Sequence, residues 1–238
     1  MQLFLVRHGD PDYKRDTLTE AGWKEARALA APMRDRYRPD LLYTSPLGRA
    51  RATMQPTEEA LGKTGEVLDW AAELQVPGVE GPWGPGYHVF DTAGHWVRGA
   101  QDGEKLPSHD TWHLRPPFDG APVREAFERV RAGSDAFLAE HGYERRGGRY
   151  ACVAPHRRRI AVFCHHGLGL TWLAHLLEIP LTLMWSGFWL PPSSVTTVLF
   201  DERVGEWATP RCLGLGDLSH LHDAGLPRSD MGLKANRE

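Results

Sequence analysis

An α/β domain, with a mostly parallel sheet flanked by helices on both faces, is the fold class this sequence predicts. Three observations carry it. Short apolar runs recur at 2–6, 41–44 and 160–164, the mark of strands buried on both sides. Each run is followed by a stretch with helical periodicity, and strands that alternate with helices build parallel sheets. The length of 238 residues suffices for one substantial core. Residues 1–225 are read as a single domain with an insertion at about 78–122, and 226–238 as a loosely held tail.

The elements follow in order. Leu3-Phe4-Leu5-Val6 is the first strand. Residues 10–18 are polar, hold Pro11 and read as a loop. Thr19 is an N-cap for the helix that opens at Glu20, and Pro32 ends or kinks that helix. Leu41–Thr44 is a second strand, after which Ser45-Pro46 supplies an N-cap and first-position proline for a helix to about Leu61. From Gly78 to Pro122 the chain is rich in Gly, Pro, Trp and His. A stretch that long is rarely structureless inside a domain, so it is read as an insertion over the site, with short helices. Val123, Phe127, Val130, Phe137 and Leu138 share one face of a long helix ending at Gly142. Tyr143–Val153 reads as a hairpin around Gly147-Gly148. Ile160–Cys164 is a buried strand leading into an apolar helix to about Leu177, and 195–200 and 207–213 complete the strands.

Composition narrows the function classes. A formal charge of −3 with 25% charged residues points away from nucleic acid and membrane surfaces. No apolar run approaches the roughly 20 residues of a membrane span. Three cysteines without metal-ligand spacing predict reduced thiols and a cytoplasmic setting. The scattered His109, His113, His220 and His222 match no zinc pattern, so neither metal nor cofactor is expected.

Chemistry gathers at three strand ends, where open α/β sheets build their sites. Arg7-His8-Gly9 follows the first strand, Ser45-Pro-Leu-Gly-Arg49 the second, and His166-Gly167 the third. Two guanidiniums, two imidazoles and helix N-termini together suit a phosphoryl group. A neutral imidazole can attack phosphorus, arginines can bind its oxygens bidentately, and a leaving alkoxide needs a carboxylic acid nearby.

Leu5-Val-Arg-His-Gly, Leu18-Thr-Glu-Ala-Gly, Ser45-Pro-Leu-Gly-Arg-Ala-Arg-Ala-Thr and His166-Gly167 together resemble the histidine phosphatase superfamily, the phosphoglycerate mutase-like group. The late Ser193-Ser-Val-Thr and Gly216-Asp-Leu-Ser-His-Leu resemble the ends of its members. The resemblance implies the phosphoglycerate mutase-like fold and phosphomonoester hydrolysis through a phosphohistidine, without a metal. It further implies His8 as nucleophile, Arg7 and Arg49 as phosphate clamps and His166 as second catalytic histidine. Glu73, in Trp70-Ala-Ala-Glu-Leu-Gln-Val-Pro-Gly78, best matches the family's proton donor, with Glu80 and Asp10 as alternatives. His165 is expected to pack beside the site.

Two departures bear on substrate. Asp10-Pro11-Asp12-Tyr13 replaces the Glu-Ser that follows the glycine in the mutase branch, and the insertion lacks paired arginines. Hydrolysis of a small-molecule phosphate ester is therefore expected. A mutase-type phosphoryl transferase and a non-catalytic phospho-ligand binding protein are the alternatives. Aromatic residues of the insertion (Trp83, Tyr87, His88, Trp96, Trp112) suit a bulky, partly apolar leaving group, and its tryptophans equally suit packing under a long loop or a homodimer contact.

Overall fold

The computed structural model describes residues 1–76, 88–98, 105–116, 118–119 and 121–233. Strand β1 (Gln2–Arg7) leads through a small antiparallel pair, β2 (Pro11–Asp12) and β3 (Thr17–Leu18), into α1 (Glu20–Pro32). Thr19 caps α1 as expected, its hydroxyl accepting from Gly22 N at 3.1 Å. The α-helix ends at Pro32 and gives way to a wider turn over Met33–Tyr37, closed by Arg38 at φ 49°. β4 (Leu41–Thr44) and α2 (Gly48–Leu61) come next, then β5 (Glu66–Val67). The insertion contributes single turns at Val89–Asp91 and Trp112–Leu114 and the short α3 (Gly94–Val97). α4 (Ala121–Glu140), the hairpin β6 (Tyr143–Arg146) and β7 (Arg149–Cys152), β8 (Arg159–Cys164), α5 (His166–Leu177), α6 (Leu181–Gly187), β9 (Val195–Val204), β10 (Trp207–Asp217) and α7 (Ser219–Asp223) complete the chain.

One eight-stranded sheet runs in the order β5-β4-β8-β1-β9-β10-β7-β6. Pairings from β5 to β1 are parallel, and these strands carry the predicted site. β9, β10 and the β6–β7 hairpin extend the sheet antiparallel, and the short turns that join β6 to β7 and β9 to β10 fit that direction. Side-chain alternation explains the layering. Leu3 and Leu5 of β1, with Ile160 and Val162 of β8, face a core shared with α4 and α5. Phe4, Val6, Ala161 and Phe163 face a second core with Leu29 of α1 and Met54 of α2. Among the described residues no helix is long and apolar enough to cross a membrane.

Two expectations are corrected. Ser45 does not cap α2: the helix begins at Gly48, whose N–H donates to the Asp16 carboxylate at 2.6 Å. The Ser45 hydroxyl instead accepts from Leu47 N and bonds His165 Nε2 at 2.6 Å. A carboxylate presented from a neighbouring loop satisfies the orphan donor that Ser45 was expected to take. Residues 226–233, expected as the start of a loose tail, are tied to the body. Leu226 N donates to Leu221 O, the Ser229 hydroxyl to the Asp10 carboxylate, and Arg7 to Met231 O.

Close backbone approach fixes one glycine. A Cβ at Gly22 would lie 2.2 Å from Asp10 O, with Asp10 N and C also within 3.0 Å. Backbone on both sides cannot yield, so Gly22→Ala is expected to destabilise the protein by about 1–3 kcal/mol. Thermal unfolding should register this as a drop of roughly 2–4 °C per kcal/mol.

Candidate active site

The parallel strands end together, and their loops line a cavity of about 620 Å³. Arg7, His8, Arg49, Glu73 and His166 all open onto it, joined by Tyr13, His88, Phe90 and Met231. Five residues predicted from four separate segments therefore meet in one place.

Backbone bonds hold His8 between two strands. Its N–H donates to Cys164 O at 2.9 Å and its carbonyl accepts from Ser193 N at 3.0 Å. The imidazole is buried, with Nδ1 2.7 Å from Gly9 O. A carbonyl only accepts, so Nδ1 carries the hydrogen and Nε2 of the neutral ring keeps its lone pair. His166, first residue of α5, is set the opposite way. Leu190 N–H donates to its Nδ1 at 3.3 Å, which leaves the hydrogen of the neutral ring on Nε2. Burial first, then Arg7, lowers His166 to about 3. The same two causes hold His8 well below the ordinary histidine range, with Arg49 and His166 adding to them. One ring is an electron-pair donor and the other a hydrogen-bond donor, and main-chain groups set both.

The arginines are braced differently. Arg7 is buried and donates to Leu190 O at 2.5 Å and to Met231 O at 2.9 Å. Arg49 donates to the Asp16 carboxylate at 2.7 Å, and its guanidinium lies over the Tyr13 ring, 5.4 Å from the centroid. Asp16 thus restrains both the start of α2 and the cation on its first turn.

Glu73 follows the single turn Asp69–Ala71 and caps α5 from outside. One oxygen accepts from Leu74 N and Leu168 N at 2.8 Å each, the other from Gly167 N at 3.2 Å. Burial raises its carboxyl above the usual range, while the three N–H donors and Arg49 oppose the shift.

The alternatives fall elsewhere. The Asp10 carboxylate accepts from Thr19 Oγ1 at 2.7 Å and from the Ser229 hydroxyl, and does not line the cavity. Glu80, Trp83 and Tyr87 lie outside the described residues. His165 is fully buried behind His8, with ring centroids 5.2 Å apart, and bonds Ser45. Of the insertion aromatics, His88 lines the cavity, Trp112 packs on Phe127 and Trp96 is 44% exposed. Among the described residues no three His, Cys, Asp or Glu side chains converge as a metal site would require.

The sequence profile of the Histidine phosphatase superfamily (branch 1) matches residues 3–211. The chain belongs to this superfamily. Its fold is similar to that of a phosphoserine phosphatase from Entamoeba histolytica, solved with 3-phosphoglyceric acid, at a TM-score of 0.62 and 21% identity over 92% of this chain and 98% of that one. It is also similar to a mycobacterial glucosyl-3-phosphoglycerate phosphatase, at a TM-score of 0.60 and 20% identity over 90% and 98% of the two chains. No curated protein matches the chain by sequence.

Within this histidine phosphatase framework, sequence reading missed Tyr13, Asp16, Phe90 and Met231 as cavity or clamp residues. Asp16 sits at φ 48° in a polar loop, and nothing in its neighbours marks it. Met231 contributes a backbone carbonyl, which any residue type supplies.

Proposed function

We propose that this protein hydrolyses small phosphomonoesters through a phosphohistidine on His8. One observation carries the reading: His8 and His166, held in opposite tautomers, face the cavity that also receives Arg7 and Arg49. His8 Nε2 attacks phosphorus, the P–O ester bond breaks, and Glu73 gives its proton to the leaving alkoxide. Water then attacks the phosphohistidine, Glu73 takes a proton from it, the P–N bond breaks and phosphate leaves. Arg7, Arg49 and the Nε2–H of His166 stabilise charge on the phosphoryl oxygens throughout. The names of the two structural relatives support hydrolysis of phosphate esters. An adjoining cavity of about 600 Å³, walled by Phe90, Trp185, Phe188 and Trp189, supports a bulky, partly apolar leaving group.

The test uses nitrophenyl phosphate with and without chelator, and rapid quench with a labelled ester. Turnover insensitive to chelator, with label recovered on His8, is the expected result. Absence of both turnover and phosphoenzyme would overturn the reading in favour of a binding protein. Loss of activity on adding chelator would overturn its metal-free form.

A further inference from the structure

His8 owes its tautomer to one acceptor, the carbonyl of Gly9. That carbonyl belongs to the Gly9–Asp10 peptide, and the N–H at the other end of the same peptide donates to Glu25 Oε2 at 2.9 Å. A peptide group is planar and conjugated, so a carboxylate pulling on its N–H raises electron density on its oxygen. The oxygen then holds the imidazole N–H more firmly. Glu25 lies on α1 and is 3% exposed. It reaches this peptide because two glycines let the backbones close. A Cβ at Gly9 would lie 3.2 Å from Glu25 Oε2 and 2.9 Å from Gly22 O, and one at Gly22 would collide with Asp10.

We propose that Glu25 is a positioning residue that orients and polarises His8 through the single Gly9–Asp10 peptide. The inference rests on His8 being the nucleophile of the proposed phosphatase. The ionised carboxylate strengthens the relay and its protonation weakens it. Groups facing Glu25 come from every neighbouring element. Asp10 of the loop after β1 raises its pKa, whereas the Asp10 N–H, the Ser193 hydroxyl ahead of β9 and Arg7 of β1 lower it. His220 of α7 touches the network through the Ser193 hydroxyl at 3.2 Å. Lys24, next on α1, is occupied by Glu20 at 2.8 Å. Burial outweighs the rest and lifts Glu25 to about 7, which places its change of charge in the neutral range.

Glu25→Gln keeps an oxygen for the Asp10 N–H and removes the titration. With nitrophenyl phosphate, whose leaving group needs no acid, the wild-type kcat for single-turnover phosphoenzyme formation is expected to rise roughly tenfold as pH climbs through 7. The variant stays at the lower level across that range, with KM unchanged. A second readout needs no substrate: the His8 Nδ1 nitrogen resonance should show an inflection near pH 7 in wild type and none in Glu25→Gln. An inflection retained by the variant, or absent from wild type, overturns the proposal. A Glu25-dependent inflection in a protein without phosphatase turnover would uphold the relay and overturn the phosphatase reading alone.

Discussion

Replacing His8 with alanine is expected to lower kcat by on the order of 10⁴-fold or more, the scale on which loss of a covalent nucleophile acts. The expectation comes from geometry more than residue type. The main chain around His8 is pinned to Cys164 and Ser193, so the loop should survive loss of the ring. The cavity, both arginines and His166 stay in place, and phosphate should still bind. A rapid-quench experiment should then find no labelled enzyme, while equilibrium binding of inorganic phosphate changes little. A His8→Ala protein that still accumulates phosphoenzyme would remove His8 as nucleophile.

Glu73→Gln should divide substrates by leaving group. Proton donation contributes about 10²–10⁴-fold when the departing group is a poor one. Read as single-turnover formation of phosphoenzyme, the step that the leaving group controls, reaction with an alkyl phosphate should therefore fall by about 10³-fold and that with nitrophenyl phosphate by less than about tenfold. The glutamine can still accept from Leu74 N or Leu168 N, which limits structural side effects. Direction of pH dependence follows from burial. Because the Glu73 carboxyl is raised, it retains its proton to higher pH than an ordinary carboxylate. Alkyl phosphate turnover should fall as pH rises through that pKa, and nitrophenyl phosphate turnover should show no such fall. Equal losses on both substrates would reject Glu73 as the acid.

Much of this is legible in the sequence alone. Arg7-His8, Arg49 and His166 sit directly behind apolar strands, and strand ends of a parallel sheet must converge. The capping threonine, the stop at Pro32 and the 143–153 hairpin were readable because their causes are local. What escaped has distant causes. Asp16 caps a helix 32 residues away, and Ser45 is diverted to His165 by a packing relation across two strands. Glu25 reads as an ordinary helical carboxylate until Gly22 brings α1 against the His8 loop. The antiparallel pairing of β9 with β1 and of β10 with β7 was equally hidden, since periodicity describes one strand and says nothing of a distant neighbour's direction.

The placement of β1 has a consequence for biosynthesis. Its two neighbours in the sheet are β8 and β9, both made long after it on the ribosome. Until they emerge, Leu3-Phe4-Leu5-Val6 is an apolar segment with every main-chain group unpaired, a target for chaperones and for aggregation. Folding must wait for contacts between sequence-distant segments, which makes it slow by the logic of contact order. The His8 loop is translated well before β8 and β9, yet it becomes ordered only once both have joined β1.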